Sequence, residues 1–376
     1  MALPPFRKLA ARLVLLAVSV GLSLLVAELA VRLVRPQAVM LVSQGLYIPD
    51  DPPGRYRLQP GFRGTVTNRV EFDTEVSINQ AGMRGPEIGP RPPGGVRILA
   101  LGDSFVFGVG AEQGETFPAR LEEILKKSGV PAQVLNAGAP GFSVPEEAAW
   151  FERWGRRLEP DVVVVAVFTG NDLQDAAPGG AKVTALDGRL AVEGEGGRPV
   201  ARWLYSHSHL YVLLKTSALG AAVRRLLGLP EPFDERLIRT EMSFYEKGRP
   251  LPELAASGAA ATERAVAGLV ASAGKSRVVA VVIPTLLQVD STAWNATLER
   301  LRLDPAKHDP DRTTRLFREI FERHGIPVLD LAPPFREAVK KGEGIYYPID
   351  QHLTPQGYER MAREMAGFLR GRRIVN

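Results

Sequence analysis

The chain opens on one long apolar stretch and, beyond residue 95, settles into an alternation of short apolar runs and amphipathic segments. Leu13 to Ala27 carries no charge, and the apolar pattern continues to Val34, with Glu28 and Arg32 at helical i, i+4 spacing, before Pro36 stops it. About 20 mostly apolar residues span a bilayer as helix, so residues 9–34 predict a transmembrane anchor. Arg7, Lys8 and Arg12 precede the apolar run, against Arg32 and Arg35 with Glu28 at its far end. That excess of cations places residues 1–8 in the cytoplasm and the bulk of the chain outside, periplasmic or extracellular. The competing reading is a cleaved signal peptide. No small-x-small site follows the run, and the stretch is long for a signal's apolar region, which favours an uncleaved anchor.

Residues 35–95 are rich in Pro, Gly and Arg and predict an extended connector. Within it, Val70 to Ile78 alternates apolar and polar positions, the pattern of a strand or small hairpin with one buried face. From Val96 the expected order is strand 96–101, helix 117–127, strand 133–136, helix 145–158, strand 161–168, helix 253–273, strand 278–283, helix 313–324, strand 327–331 and helix 355–369. Asp161 to Phe168 is an almost continuous Val run, which marks a central parallel strand covered on both faces. Strands alternating with helices predict an α/β fold with a doubly wound, mostly parallel sheet over residues 96–376. About a hundred residues separate the third strand from Val278, far more than a crossover needs. Residues 176–252 therefore form an insertion, with a hairpin expected near Lys182 to Val192, helix over 201–228 and irregular chain over 229–252.

A chain of 376 residues allows one large domain with additions, and 45% hydrophobic with 24% charged residues is ordinary for a globular protein with a full core. The net charge of +5 does not change this, because Lys and Arg are scattered among acids and form no basic stripe with interleaved aromatics; nucleic acid is not an expected partner. Cysteine does change it. There is none, which excludes disulfides, Cys-based zinc sites and a thiol nucleophile.

Ligands of doubly wound sheets bind beyond the carboxyl ends of the strands, and three motifs fall there: Gly102-Asp103-Ser104-Phe105, Asn136 to Gly141, and Gly170-Asn171-Asp172. A fourth, Asp350-Gln351-His352, precedes the last helix, where Thr354 and Pro355 read as N-cap and first helical residue. Ser104 is the candidate nucleophile and His352 its general base. Asp350, two residues from His352 in what should be an extended segment, is placed to orient the imidazole. The Ser104 N–H, the Gly141 N–H and the Asn171 amide are candidate donors to an oxyanion. Taken singly, each residue is ordinary for a turn or surface loop; four motifs in this order, three of them at strand ends, are not.

This combination resembles the SGNH (GDSL-type) hydrolase family over roughly residues 96–371. The resemblance implies a flavodoxin-like three-layer α/β/α sandwich and ester hydrolysis with no cofactor or metal. It makes Ser104 the nucleophile, Gly141 and Asn171 the oxyanion residues, and His352 the catalytic histidine. Many members separate Asp and His by two residues, whereas only Gln351 intervenes here. That spacing is similar to the membrane-linked branch that includes alginate O-acetylation proteins. The expected activity is removal of a small acyl group, acetyl above all, from a cell-envelope carbohydrate. The rivals are O-acyl transfer in envelope polysaccharide modification, a catalytically silent envelope scaffold, and a phospholipid-acting lipase with an apolar cleft under the insertion. The expected partners are an acylated small-molecule or polysaccharide substrate and the membrane. His207 and His209 form a His-x-His pair without an evident third metal ligand, Arg84 reads as a loop arginine in preference to one folded back toward the site, and Trp150 and Trp154 read as core or interface.

Overall fold

The structure, a computed structural model, describes residues 5–50, 56–180, 183–186, 189–192, 199–217 and 233–375. It falls into two compact units: Met40–Glu195 with Leu237–Asn376, and Met1–Val39 with Gly196–Arg236.

The connector is more structured than its Pro-Gly composition predicts. Strands β1 (Leu41–Val42), β4 (Arg63–Thr67) and β5 (Asp73–Ser77) pair antiparallel in one small sheet, and β2 (Tyr47–Pro49) pairs with β3 (Tyr56–Leu58). The alternation at 70–78 resolves into the β4–β5 hairpin, with Thr74 and Val76 facing inward. Its turn is held by Asn68, whose side-chain oxygen accepts from the N–H groups of Val70, Glu71 and Phe72. Val66, Val76, Ile78, Tyr47 and Tyr56 join Phe107 and Phe142 in a shared apolar cluster, so the connector is welded to the region of the motifs.

Downstream lie β6 (Val96–Gly102), β7 (Ala132–Gly138), β8 (Val162–Phe168), the hairpin strands β9 (Val183–Leu186) and β10 (Arg189–Val192), then β11 (Arg277–Ile283) and β12 (Val328–Asp330). Five of them form one parallel sheet in the order β12-β11-β8-β6-β7. Counted along that sheet alone the order is 2-1-3-4-5, the flavodoxin-like arrangement. Helices cover both faces. Ile98, Ala100, Val162, Val164 and Ala166 face one core with helices Phe117–Lys127, Ala332–Lys340 and Pro355–Gly371. Leu99, Leu101, Val163, Val165 and Val167 face the other with helices Val144–Arg153, Glu253–Ala273 and Arg312–Arg323. Side chains of a strand alternate faces, which is why the Val run of β8 has no polar partner phase. This is the α/β sandwich expected from the sequence.

Three expectations change. Helices Ser291–Leu301 and Ala332–Lys340 were not predicted, and the stretch expected to be irregular at 229–252 contains helix Phe233–Phe244. That helix buries Met242 and Phe244, and its amphipathic spacing is a signal that the polar, Pro-rich surroundings mask. Of the helix expected at 201–228, residues 218–228 lie outside the described residues; the rest is two helices, Pro199–His207 and His209–Thr216.

In the smaller unit the apolar N-terminal helix, Pro5–Val34, contains Leu9–Val34, which is long and apolar enough to cross a membrane, with a mean hydropathy of 2.4 and none of that window buried. Its Glu28 accepts from the N–H groups of His209 and Leu210 and from the Ser208 hydroxyl, at 2.8–2.9 Å. Arg32 donates to Glu28 and to the His207 carbonyl, and the Gln37 N–H donates to His209 Nδ1. Glu28 thereby satisfies the orphan donors at the start of helix His209–Thr216.

Candidate active site

Strand β6 ends at Gly102 and the chain turns at once into the short helix Ser104–Phe107. The turn is forced by Asp103, whose carboxylate accepts from the Phe105 N–H at 2.8 Å and caps the helix. Close packing allows little else: a Cβ on Gly102 would meet Val106 at 2.3 Å, and one on Gly138 would meet the Phe107 N at 2.0 Å. Ser104 is thus presented at the carboxyl edge of the sheet, beside the point where β6 and β8 feed opposite directions.

Residues 248 apart in sequence converge here. Ser104 Oγ lies 2.8 Å from His352 Nε2, and His352 Nδ1 lies 2.5 Å from Asp350 Oδ1. The Phe105 ring packs on the imidazole at 5.0 Å, and on Phe168 at 4.2 Å. The Asp-Gln-His segment is not extended. Gln351 sits at φ 67°, its N–H donates to the Tyr347 carbonyl, and the Tyr347 N–H donates to the His352 carbonyl. A tight turn, rather than strand alternation, brings Asp350 and His352 to the same side.

Gly141 follows β7 at φ 83°, a left-handed conformation that favours glycine. A Cβ there would come to 2.8 Å from Val183 Cγ2, so the β9 end of the insertion covers this glycine. Among the described residues, neither the Ser104 N–H nor the Gly141 N–H donates to a protein acceptor. Asn171 heads helix Asp172–Ala176, and its amide nitrogen donates to Asp175 Oδ2 at 2.6 Å while its oxygen finds no partner among the described residues.

Buried carboxyls surround the site. Burial pushes Asp103 up to about 6 against the Phe105 N–H and the neighbouring His352, which hold it down. Burial raises Asp172 well above the usual carboxylate range, reinforced by Asp103 and Glu147. Glu147 is raised likewise by burial, then by Asp103 and Glu146, and neither of its carboxyl oxygens has a hydrogen-bond partner among the described residues. Asp172 Oδ2 accepts from the Phe168 N–H, tying the Asn171 turn to the end of β8.

Two residues of the connector reach this region, one of them, Glu71, not singled out in the sequence. Glu71 accepts from the N–H groups of Ile349 and Asp350 at 2.8 and 2.9 Å, clamping the loop that carries Asp350 and His352. Arg84, read from the sequence as a loop arginine, is 2% exposed and donates to the carbonyls of Phe107, Gly108, Ala111 and Glu75. Burial lowers its guanidinium to about 10, which leaves it charged at neutral pH. The His-x-His pair does not converge with other ligands: His207 stacks on Trp203, and His209 accepts from Gln37. No cluster of three or more metal-ligating side chains occurs among the described residues. Trp150 packs against two of the apolar clusters, and Trp154 lies under Arg153 and Arg157.

The GDSL-like lipase/acylhydrolase family model matches residues 100–360. Among solved structures, the chain is similar to the lipase/acylhydrolase from Enterococcus faecalis, with 15% identity and a TM-score of 0.40, covering 75% of this chain and 97% of that one. It is also similar to a Clostridium thermocellum family 3 carbohydrate esterase, at 12% identity and a TM-score of 0.38, over 75% and 99% of the two chains. The acetyl xylan esterase AlAXEase gives 12% and 0.37, over 73% and 100%. No curated protein matches the chain. At these scores the structural likenesses add nothing to the family match.

Proposed function

The chain belongs to the GDSL-like lipase/acylhydrolase family and hydrolyses ester bonds, and from that premise we propose that Ser104 is its nucleophile, His352 its general base and Asp350 the acid that orients the imidazole. Ser104 Oγ attacks the ester carbonyl while His352 Nε2 takes its proton. Asp350 holds the Nδ1 proton and stabilises the imidazolium that forms. The tetrahedral oxyanion is met by the N–H groups of Ser104 and Gly141 and by Asn171, whose amide keeps a second proton beyond the one given to Asp175. His352 returns its proton to the leaving alkoxide as the C–O bond breaks, giving the alcohol and an acyl-serine. Water, deprotonated by the same imidazole, releases the acid. The observation that carries this reading is the 2.8 Å contact between Ser104 and His352.

The acyl group is small, acetyl being the best fit, and its carrier is a cell-envelope carbohydrate. Support for the small acyl group comes from the crowding of the site: Val183 leaves no room for a side chain at Gly141, and the Phe105 ring packs on both Phe168 and the imidazole. Support for the envelope comes from the apolar helix, read as a retained anchor with the catalytic unit outside the cytoplasm. The contacts that Glu28, Arg32 and Gln37 make with residues 207–210 suit a helix that stays, because its removal would strip a helix start of its donors' partner.

The test is release of nitrophenol from its acetate ester by the purified protein, beside Ser104→Ala. Loss of the nucleophile is expected to lower kcat by about 10³-fold or more, and turnover should fall steeply from acetate to octanoate. Equal rates in the two proteins would remove Ser104 from the role given to it. Equal rates on the two esters would remove the small acyl group.

A further inference from the structure

We propose that the helix pair at residues 199–216 lies in the headgroup region of the bilayer, next to the point where the N-terminal helix leaves it. The proposal rests on the retained-anchor reading above and adds a second membrane contact to it.

The first observation is depth. Leu9 and Glu28 are 19 residues apart, about 29 Å of helix at about 1.5 Å per residue, close to the roughly 30 Å of a bilayer's hydrocarbon core. Glu28 therefore falls at the polar boundary. A carboxylate just inside that boundary is costly unless its hydrogen bonds are met. Here they are met by Ser208, His209, Leu210 and Arg32. The same bonds fix helix His209–Thr216 to the anchor at this level, so the helix pair is held at the boundary by the anchor itself.

The second observation is what the pair exposes there. Trp203 is 58% exposed, Val200 70%, Leu214 47% and Tyr205 37%. Val200 and Trp203 share one face of their helix at i, i+3 spacing. Leu33 and Val34, past Glu28 on the anchor, are 84% and 85% exposed. Single exposed apolar residues are common on soluble surfaces. A group of them, two aromatic, gathered beside the end of a transmembrane helix is the composition of an interfacial belt, where amphipathic rings sit among headgroups.

The absence of cysteine in the chain makes the test direct. V200C, W203C and L214C are each labelled with a nitroxide in the full-length protein and reconstituted into phosphatidylcholine vesicles. V14C marks a position inside the apolar span of the anchor, and K127C marks a water-facing helix position. Collision with a water-soluble nickel chelate is measured at each. Labels at 200, 203 and 214 are expected to collide severalfold less than the label at 127 and more than the one at 14. If V14C is shielded while 200, 203 and 214 match 127, the interfacial proposal is wrong and the anchor stands. If V14C also matches 127, or the protein does not float with the vesicles, the anchor reading fails and the proposal falls with it. V200C and L214C leave Trp203 in place, so a local effect of losing that ring is visible as disagreement between them and W203C, and shielding in W203C alone overturns the proposal.

Discussion

Gln351 occupies a left-handed conformation between the two residues whose side chains must meet, Asp350 and His352. A non-glycine residue there costs on the order of 1 kcal/mol, and a β-branched one more. Gln351→Gly should therefore keep full esterase activity and raise the melting temperature slightly, whereas Gln351→Val should lower both; a stable and active Val variant would show that the turn is not needed. Glu147 makes the opposite kind of prediction. Its carboxyl is raised by burial, so the folded protein binds this proton more tightly than the unfolded chain does. The sign follows from linkage: stability is full below the ordinary carboxylate value of 4.5 and is lost as pH rises above it toward the folded value. Glu147→Gln removes that loss. The melting temperature of the variant relative to wild type should climb between pH 5 and pH 8, and a constant difference would contradict the assignment of a strained buried acid. Ser104, Gly141 and Asn171 could be proposed from the sequence because each sits in a short motif after a strand, and Asp350 and His352 because their motif heads the last helix. The turn geometry of that last motif was not legible, since a left-handed Gln leaves no mark in a sequence.

The connector acts on the motifs as an element. Arg84 closes the carbonyl ends of the helix Ser104–Phe107 and the loop after it, and Glu71 holds the amides of the 349–350 segment. Arg84→Met orphans the Ala111 carbonyl and takes one of two donors from the Phe107 and Gly108 carbonyls; an unmet buried group costs about 1–3 kcal/mol, so a loss of stability of at least about 1 kcal/mol is expected in denaturant melts. Glu71→Ala lets the loop of Asp350 and His352 drift without opening a core. A displacement of about 1 Å at reacting groups can cost up to about 100-fold, so kcat should fall by roughly 10- to 100-fold with KM and the melting temperature little changed. A drop in melting temperature that accounts for the lost activity would make Glu71 structural only. Central strands could be read from the sequence because burial on both faces leaves β8 as a bare Val run. The connector could not: its strands are two to five residues long, and the partners of Arg84 and Glu71 are backbone atoms far along the chain, which no periodicity reports. Helix Phe233–Phe244 was hidden for a related reason, sitting between Pro-rich stretches that suggest loop.

At the scale of the molecule, the four apolar clusters draw every member from residues 40–195 and 237–376. Among the described residues, the N-terminal apolar helix contributes to none of them. Its exposed apolar side chains are suited to lipid. Stability of the catalytic unit should then be independent of the anchor, because burial of apolar area is the main favourable term in folding. A chain beginning at Met40 is expected to be soluble, to melt cooperatively and to hydrolyse nitrophenyl acetate with kcat within about twofold of the full-length protein, since no interaction that builds the transition state is lost. Its action on an acylated polymer displayed at a membrane surface should fall much further, because tethering supplies effective concentration and the released fragment has none. The pair of assays separates the two contributions of the N-terminal helix. If the fragment loses activity on the small ester as well, residues 1–39 are part of the catalytic fold. If it matches full-length protein on the polymer, the anchor does not bring the enzyme to its substrate.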